Sequence, residues 1–323
     1  MIYKKFGKLD WEISQVGYGM WGMAGWSKSN DITSHKSLDK AVELGCNFFD
    51  TAWGYGEGKS ERILSNLLKR HKSKRLYTAT KIPPKIDQWP PNKSSLLKDI
   101  YPSDHIISYT EKSLKNLDIE TIDLLQFHVW EDSWADNDEW KEMIVKLKKE
   151  GKVSTFGISV NRWEPSNCIK ALESGLIDAV QVIYNIFDQS PEDELFPYCK
   201  KNNIGVIARV PFDEGSLTGK LSIHSKWEQG DFRNTYFGSE NLPPTIERIS
   251  KLKKMLGKEM PIAELALRFI ASNPIVNTMI PGMRQLQNVK ANMAISNGIG
   301  LSKQWMSNLK DHRWDRVPTN WSC

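Results

Sequence analysis

Four side chains with complementary acid–base chemistry stand at or just after the ends of apolar stretches of this sequence. Asp50, Lys81 and His128 each end one such stretch, and Tyr55 follows Asp50 by five residues. A tyrosine with its ordinary pKa of about 10 is a poor acid at neutral pH, but a neighbouring ammonium lowers that pKa. A carboxylate keeps the lysine charged, and an imidazole orients a carbonyl oxygen and shares its proton. The set therefore suits proton delivery to a carbonyl oxygen while a hydride arrives at its carbon.

Each of the four residues also has an ordinary structural explanation. Asp50 could cap a helix or a turn, and Tyr55 could pack on the surface of a glycine-rich loop. Lys81 could end a strand facing water, and His128 could be a core histidine bonded to the backbone. The occurrence of all four at successive strand ends favours the functional interpretation.

Segments with strand character alternate with segments of helical period along the chain. The predicted strands span 15–20, 47–50, 75–81, 121–128, 153–159, 179–183, 205–209 and 277–280. The predicted helices span 59–70, 103–117, 138–150, 165–174, 191–201, 264–271 and 285–295. Eight strands, most followed by a helix, predict an α/β fold with a parallel sheet closed into a (β/α)8 TIM barrel. Barrels carry their chemistry at the C-terminal ends of the strands, where the four residues fall.

Three segments outside these units predict additions to the barrel. Residues 2–6 and 9–14 indicate an N-terminal β-hairpin that caps the bottom of the barrel. The segment 219–244 is too long for a bare connection and predicts a long functional loop at the C-terminal face. After residue 301 we expect a short helix and a Trp-bearing coil. One barrel domain over residues 1–323 is expected.

The composition limits the class of protein. Of the 323 residues, 40% are hydrophobic and 26% charged, and the net charge is +5. These values exclude a disordered chain, a collagen and a disulfide scaffold. The weak positive charge requires no nucleic-acid or membrane partner, although it favours an anionic ligand. The chain has no signal-like or membrane-spanning segment, and its four cysteines lack metal or CxxC spacing, so we expect a cytoplasmic protein without a metal.

Three motifs give the chain a specific resemblance to the aldo-keto reductase superfamily. They are Phe-Asp-Thr-Ala-Trp-Gly-Tyr-Gly at 49–56, Thr-Ala-Thr-Lys at 78–81 and Leu-Gln-Phe-His at 125–128. The resemblance runs from the hairpin to about Asn292. It implies that Asp50, Tyr55, Lys81 and His128 form a catalytic tetrad that reduces an aldehyde or ketone with NADPH. The cofactor would lie extended across the barrel mouth without a Rossmann domain.

Other nucleotide sites are excluded by spacing. The segment 54–60 looks like a phosphate loop, but a Walker motif needs a glycine where Trp53 stands. No G-x-G-x-x-G motif follows any predicted strand.

The same resemblance implies a set of cofactor-binding residues. Ser159 and Gln181 would hold the nicotinamide carboxamide, because hydroxyl and amide groups both donate and accept. The family often has asparagine directly after the serine; here Val160 stands there and Asn161 follows. A glycine-containing segment, 208–219, would wrap the pyrophosphate. The implied residues are Met20, Trp21, Ser159, Asn161, Gln181, Arg209, Pro211, Phe212, Gly215, Leu217, Gly219, Gly282, Arg284, Asn288 and Asn292.

Two arginines of this set carry specific expectations. Arg209 replaces the aromatic residue that commonly stacks on the nicotinamide. A guanidinium can also stack, but it repels the oxidised, cationic ring, so we hypothesise a bias toward reduction. Arg284, near Asn288 and Asn292, resembles the site of the adenosine 2′-phosphate, since the arginine fork binds two phosphate oxygens.

The sequence contains 13 tryptophans, and several follow predicted strand ends. Trp21, Trp53 and Trp130 predict an aromatic-walled pocket for a small carbonyl substrate. Flat indole faces suit sugars, aromatic aldehydes and steroids alike, so they leave the substrate open. One alternative is a redox-sensing, nicotinamide-binding subunit of the same fold with little turnover. Another, a cofactor-free isomerase, needs paired carboxylates or a metal site, and no such spacing occurs in the sequence.

Overall fold

The protein is an eight-stranded parallel barrel preceded by a two-stranded hairpin, as predicted. The computed structural model describes residues 1–24, 30–86 and 88–317. The hairpin consists of β1 (Tyr3–Lys5) and β2 (Glu12–Ser14), which pair antiparallel. The barrel strands are β3 (Tyr18–Gly19), β4 (Phe48–Asp50), β5 (Tyr77–Ile82), β6 (Ile122–Phe127), β7 (Val153–Ser159), β8 (Ala179–Ile183), β9 (Gly205–Arg209) and β10 (Thr278–Met279). Each pairs in parallel with the next along the chain.

The sheet closes where its first strand meets its last. Val16 pairs with Met279, and Gly19 pairs with Gly282, through isolated parallel bridges. A Cβ atom on Gly19 would lie 2.5 Å from the carbonyl oxygen of Ile280, closer than two such atoms can approach. Only glycine therefore permits this contact between the two strands.

Helices occupy most of the connections between barrel strands. They are α1 (Asp31–Glu43), α2 (Lys59–Arg70), α3 (Leu97–Ile100), α4 (Ser103–Leu117), α5 (Asp138–Lys149), α6 (Ile169–Glu173), α7 (Leu195–Asn202), α8 (Arg233–Tyr236), α9 (Leu242–Leu256), α10 (Ile262–Ser272), α11 (Leu286–Ala294) and α12 (Lys303–Lys310). No helix in the described ranges is long and apolar enough to cross a membrane.

Several predicted helices differ from the observed ones. The sequence does not predict α1, and the helix predicted at 165–174 shortens to α6. The segment 219–244, predicted to be a loop, contains α8 and the start of α9. Prolines 243 and 244 suggest a loop, yet a proline in the first helical turn loses no hydrogen bond, and α9 begins there. The short helix predicted in the tail is α12, and the end of the predicted coil, residues 318–323, lies outside the described residues.

Helix α2 shows how local sequence positions a site loop. It begins just after the 51–58 loop, which carries Tyr55. Its side chains Ile63, Leu64 and Leu67 are buried on one face, as a helical period requires. Lys69 and Arg70 in the last turn complement the negative end of the helix dipole. The packed face fixes α2 against the barrel, and the preceding loop is fixed with it.

The hairpin closes the N-terminal end of the barrel, as predicted. Phe6 is fully buried and contacts Gly205, the first residue of β9. Trp11 stacks on Tyr77, the first residue of β5, with ring centres 4.8 Å apart. These aromatic contacts fill the bottom of the barrel and leave its C-terminal end open.

Strand register brings the predicted site residues to that open end. Gly19 lies opposite Asp50, and Lys81 lies opposite Gln126. Ser159 lies opposite Gln181 on β7 and β8. Because parallel strands of a barrel end at the same rim, side chains far apart in the sequence meet there.

Candidate active site

A cavity of about 1140 Å³ opens at the C-terminal ends of the strands. Asp50, Tyr55 and His128 line it, while Lys81 is fully buried beside Asp50. Twelve of the predicted cofactor residues also line the cavity: Met20, Trp21, Ser159, Asn161, Gln181, Arg209, Pro211, Phe212, Gly215, Gly282, Arg284 and Asn288. The structure therefore brings most of the predicted site residues together.

A buried ion pair forms the base of the cavity. Lys81 Nζ donates to Asp50 Oδ1 at 2.6 Å and to the backbone oxygen of Thr51 at 2.8 Å. The other carboxylate oxygen, Oδ2, accepts from Gln181 Nε2 at 2.7 Å and from Gln126 Nε2 at 3.3 Å. Both carboxylate oxygens are thus hydrogen-bonded, which a buried charge needs if it is to stay ionised.

Tyr55 lies directly next to this pair. Lys81 Nζ is 5.1 Å from the centre of the Tyr55 ring. Burial raises the pKa of Tyr55 above its ordinary value, and the nearby Lys81 ammonium opposes that increase. The Asp50 carboxylate raises the pKa further, and Arg209 lowers it. The sequence predicts a lowered pKa here, and that expectation is wrong because desolvation of the hydroxyl outweighs the lysine.

His128 faces the cavity as a neutral imidazole. Burial lowers its pKa well below 6.5, and the charges of Lys81 and Arg209 lower it further. Its ring lies edge-on to Tyr55, with centres 5.8 Å apart, and to Trp89, with centres 4.7 Å apart. Its Nδ1 atom is buried and has no hydrogen-bond partner among the described residues. A buried ring nitrogen without a protein partner is suited to bind a polar ligand atom.

Arg209, at the end of β9, brings a second, partly buried cation to the cavity. Its guanidinium donates to the backbone oxygen of Val160 at 3.0 Å. Its Nε atom is buried without a partner among the described residues. Burial lowers the pKa of Arg209 to about 10, and the neighbouring Arg162 adds to the decrease. Arg209 therefore gives the cavity a positive charge that is only partly compensated.

The segment after β9 has a strained backbone. Val210, Asp213 and Glu214 have φ values of 55°, 44° and 55°, and Gly215 has a φ of 107°. Left-handed conformations cost non-glycine residues about 1–3 kcal/mol each and occur mainly at functional sites. Two of its backbone N–H groups are used inside the segment, from Asp213 to Val210 O at 3.1 Å and from Gly215 to Phe212 O at 2.9 Å. Most of the segment lines the cavity, and its role toward a pyrophosphate stays a prediction.

Arg284 lies across the cavity from this segment, close to the start of α11. Its side chain packs on Gly22: a Cβ atom there would lie 3.2 Å from Arg284 Cδ. Gly282 faces open space, with nothing within 4 Å of the position of a Cβ atom. Asn288, on the first turns of α11, lines the same part of the cavity. A guanidinium beside a helix N-terminus is suited to a phosphate.

Several predicted cofactor residues are placed differently. Asn161 donates both amide hydrogens, to Trp130 O at 2.7 Å and to Glu131 Oε1 at 2.9 Å, so it joins the loop after β7 to the loop after β6. Leu217, Gly219 and Asn292 do not line the cavity within the described residues. Leu217 and Asn292 are buried behind it. The amide nitrogen of Gln181 is engaged by Asp50, as described above, which leaves its oxygen to accept from a ligand.

The prediction that Trp130 forms part of the substrate pocket is wrong. Its side chain is fully buried and does not line the cavity. Its ring packs edge-on against Trp134 and Trp140, with centres 5.6 and 5.3 Å away, and against Phe127. The position after β6 is near the mouth, but the indole turns inward between the barrel and α5. Trp21 and Trp53 line the cavity as predicted.

Several cavity residues escape the sequence prediction. Trp89, Tyr109 and Phe232 add aromatic walls, and Arg162 and Glu214 form an ion pair at 2.5 Å on one side. The three aromatic residues lie in a loop, on α4 and next to α8, away from any predicted strand end. Gln126 belongs to the Leu-Gln-Phe-His motif at 125–128, so its amide could have been recognised as a partner for Asp50.

The chain's own residues fit a nicotinamide dinucleotide. The cavity exceeds the roughly 300–1,000 Å³ of ordinary small-ligand sites. Two buried side-chain atoms of residues that line it, His128 Nδ1 and Arg209 Nε, have no partner in the described part of the protein. The guanidinium of Arg284 supplies a further cationic group in the same cavity. Polar, cationic and aromatic groups thus match the parts of such a ligand.

Comparison with known proteins identifies the class of protein that this fold and cavity define. The aldo/keto reductase family model matches residues 15–313. The chain belongs to this family of oxidoreductases, and its relatives include an NADH-specific methylglyoxal reductase and an aldo-keto reductase named for NADP(+).

Individual relatives cover nearly the whole chain. It is 28% identical over 322 residues to aldo-keto reductase YhdN of Bacillus subtilis, covering 97% of this chain and 92% of that one. It is 27% identical over 307 residues to the NADH-specific methylglyoxal reductase of Escherichia coli, covering 90% and 92%. Its structure resembles aldo-keto reductase AKR11C1 from Bacillus halodurans in its holo form, with a TM-score of 0.78, 24% identity and coverage of 100% and 99%. The structural likeness confirms the barrel fold with its N-terminal hairpin.

Proposed function

We propose that the protein is an NADPH-dependent reductase that converts an aldehyde or ketone into an alcohol. The observation that carries this proposal is the contact of Tyr55 with the buried Lys81–Asp50 pair at the floor of the cavity, 5.1 Å from ring centre to ammonium. A proton donor backed by a buried cation is what carbonyl reduction requires of the protein, since charge develops on the substrate oxygen. Membership of the aldo/keto reductase family supports the same reaction class.

In this proposal Tyr55 is the general acid. Its raised pKa keeps the hydroxyl protonated at neutral pH. The reduced nicotinamide, when bound, supplies a hydride to the carbonyl carbon. Tyr55 then releases its proton to the carbonyl oxygen, and Lys81 stabilises the tyrosinate that remains. Asp50 holds Lys81 charged and in place through their 2.6 Å hydrogen bond.

His128 orients the carbonyl oxygen. Because its pKa is lowered well below 6.5, the ring is neutral and acts as a hydrogen-bond donor rather than a charge. Its position edge-on to Tyr55 suits a carbonyl oxygen that receives hydrogen bonds from both groups. Together the two donors fix the oxygen where negative charge develops.

Other residues hold the cofactor. Ser159 and the free oxygen of Gln181 lie on adjacent strands and suit the nicotinamide carboxamide. The strained segment 210–215 suits the pyrophosphate, and Arg284 suits the adenosine 2′-phosphate. Arg284 is the reason to propose NADPH, although the methylglyoxal reductase of E. coli is NADH-specific.

The substrate is proposed to be a small carbonyl compound. Trp53, Trp89 and Tyr109 form aromatic walls beside Tyr55 and His128. Trp53 packs edge-on against Tyr109 with ring centres 4.6 Å apart, which gives that wall a fixed shape. Flat apolar walls favour a substrate with an apolar or aromatic part next to its carbonyl group.

Replacing Tyr55 by phenylalanine tests the proposal. Loss of the general acid should lower kcat for a panel of aldehydes by about 10²–10⁴-fold. Cofactor affinity, followed by quenching of tryptophan fluorescence, should stay within about twofold, because the hydroxyl acts on the transition state. Tyr109→Phe, a change of the same size on the cavity wall, is the matched control and should retain turnover.

Two results would count against the proposal. Parent-like turnover in Tyr55→Phe would remove Tyr55 as the acid. A parent protein that binds the cofactor tightly but reduces none of the aldehydes would favour the second candidate, a nicotinamide-binding redox sensor.

A further inference from the structure

Arg316, in the C-terminal segment after α12, is a buried cation that contacts several loops at once. Its side chain is 3% exposed and donates to Asp188 Oδ2 at 2.5 Å. It lies 3.0 Å from Asp213 Oδ1 and donates to the Tyr236 hydroxyl at 2.7 Å. The centre of its guanidinium lies 4.7 Å from the middle of the Trp163 ring. We refer to these five residues as the Arg316 cluster.

The members of the cluster come from different connections of the barrel. Trp163 follows β7, Asp188 follows β8, Asp213 follows β9, and Tyr236 ends α8. Asp213 carries further bonds: it accepts from Ser216 Oγ at 2.7 Å and from Tyr236 at 2.8 Å. A single guanidinium thus joins three barrel loops and the following helix.

Two of these loops form the cavity wall directly beside the cluster. Arg162 precedes Trp163, Glu214 follows Asp213, and both residues line the cavity. Their ion pair, at 2.5 Å, joins the same two loops on the side of the cavity. Arg316 joins them on the far side, so the segment after β9 is held between two guanidinium groups.

The position of Arg316 is set by the rest of the tail. Trp314 donates its backbone N–H to Phe187 O at 2.8 Å, and Gln189 Nε2 donates to Leu309 O at 2.7 Å. The guanidinium of Arg248, on α9, stacks on the Trp314 ring at 4.4 Å. These contacts hold the tail against the loop after β8 on both sides of the cluster.

We propose that Arg316 is a positioning residue that holds the segment 210–219 in its ligand-binding conformation. By doing so it controls the rate at which the nicotinamide dinucleotide dissociates. The ligand named here rests on the proposed function. The left-handed residues Asp213 and Glu214 persist only if their surroundings fix them. Arg316 also separates the buried carboxylates of Asp188 and Asp213, which would repel each other without it.

Replacing Arg316 by methionine tests this role, because methionine is a long, unbranched side chain that removes the charge and the hydrogen bonds to Asp188 and Tyr236. Without any ligand, hydrogen–deuterium exchange in peptides covering 210–219 should be faster than in the parent. With NADPH, stopped-flow fluorescence should show dissociation about tenfold faster or more, while hydride transfer in a single turnover stays within about twofold. Arg316→Lys keeps the positive charge but not the planar guanidinium. Its loop exchange and its NADPH dissociation rate should therefore lie between those of the parent and those of Arg316→Met.

Arg313→Met is the matched control in the same tail. Arg313 bonds to Asp193 and Asp315 at 2.6 Å on the surface, and neither partner lines the cavity. It should leave both loop exchange and dissociation at parent values. A second variant, Arg316→Met combined with Asp188→Asn, removes the repulsion and should recover part of the slow dissociation.

Two outcomes would overturn the proposal. One is a folded Arg316→Met protein with parent-like loop exchange and dissociation. The other, should that variant fail to fold, is parent-like loop exchange and dissociation in Arg316→Lys. A parent protein that binds no nicotinamide dinucleotide would refute the proposed function instead. The exchange comparison without ligand would still decide whether Arg316 fixes the segment.

Discussion

The Lys81 ammonium lies 5.1 Å from the centre of the Tyr55 ring, while its 2.6 and 2.8 Å hydrogen bonds go to Asp50 and the backbone of Thr51. The lysine thus lies beside the tyrosine while Asp50 and the backbone of Thr51 hold it in place. Its charge opposes the effect of burial on the hydroxyl but does not overcome it. With its pKa raised above the ordinary value, the Tyr55 hydroxyl is protonated at neutral pH.

The first prediction concerns the pH dependence of reduction. The reaction needs protonated Tyr55, whose pKa is raised above 10, so the rate is lost only as the pH rises through that value. His128 has a pKa well below 6.5 and stays neutral. We expect kcat/KM for reduction to be constant from about pH 6.5 to 9.5, as two groups with pKa values outside this window require. A change of kcat/KM with pH near neutrality that is present in the parent and absent in His128→Asn would contradict this assignment.

Lys81→Met should damage both chemistry and stability. Without the ammonium the pKa of Tyr55 rises further, which makes it a weaker acid, and kcat should fall by about 10²-fold or more. The variant also leaves Asp50 buried without its cation, which costs roughly 3–5 kcal/mol in unfolding free energy. Urea unfolding and steady-state kinetics measure the two effects. Lys85→Met, at another lysine of the cavity, should change neither kcat nor the free energy of unfolding strongly.

Arg284→Met separates the two nicotinamide cofactors. A charge-assisted hydrogen bond contributes about 1.5–3 kcal/mol, so NADPH binding should weaken by roughly 10–150-fold. NADH lacks the 2′-phosphate, so its affinity should change little. Titrations of both cofactors into the variant measure the ratio of NADPH affinity to NADH affinity. Lys290→Met, on the exposed side of α11, is the control. An equal loss for both cofactors would remove the 2′-phosphate from this position.

Arg209→Tyr tests whether the arginine favours reduction. In the parent, the buried guanidinium repels the oxidised, cationic nicotinamide, so alcohol oxidation should be disfavoured. A neutral aromatic ring in its place should increase the affinity for the oxidised cofactor relative to the reduced one by about tenfold. Fluorescence titrations with both forms provide the measurement. An unchanged ratio would leave Arg209 without a role in the direction of the reaction.

Two tryptophans that the sequence treats alike should respond differently to substitution. Trp130→Ala removes a fully buried ring from a tryptophan cluster and should cost about 3–5 kcal/mol of unfolding free energy. Trp53→Ala removes a cavity wall and should raise KM for the carbonyl substrate several-fold with a smaller loss of stability. Thermal unfolding and kinetics of both variants decide this. A raised KM with unchanged stability in Trp130→Ala would show that Trp130 contributes to the substrate pocket.

The sequence predicts the barrel well because its signals are local and repeated. Helices α2 and α4 begin and end where their periods do, and their buried faces are visible in the sequence. Helix α9 is absent from the predicted helices; prolines 243 and 244 at its start usually indicate a loop, whereas the first helical turn tolerates them. The shortening of α6 depends on how the loop after β7 packs, which no local pattern reports.

The candidate site is predictable as far as strand ends determine it. Asp50, Lys81 and His128 follow from position alone, because a barrel collects its strand ends at one rim. A residue's position at a strand end does not determine which way its side chain turns. The sequence therefore wrongly predicts that Trp130 lines the cavity. The pKa of Tyr55 depends on desolvation that only the packed structure reveals. Arg316 has no signal, since its partners are brought together only by the tail.

Barrel closure at Gly19 and Gly282 also has a consequence for synthesis of the protein. A nascent chain carries Asp50, Tyr55 and His128 long before β10 leaves the ribosome. Until β10 joins β3, the rim has a gap between the first and last strands, on the side where Arg284 lies. An incomplete chain that ends before β10 thus carries Asp50, Tyr55 and His128 but lacks both the closing strand and Arg284.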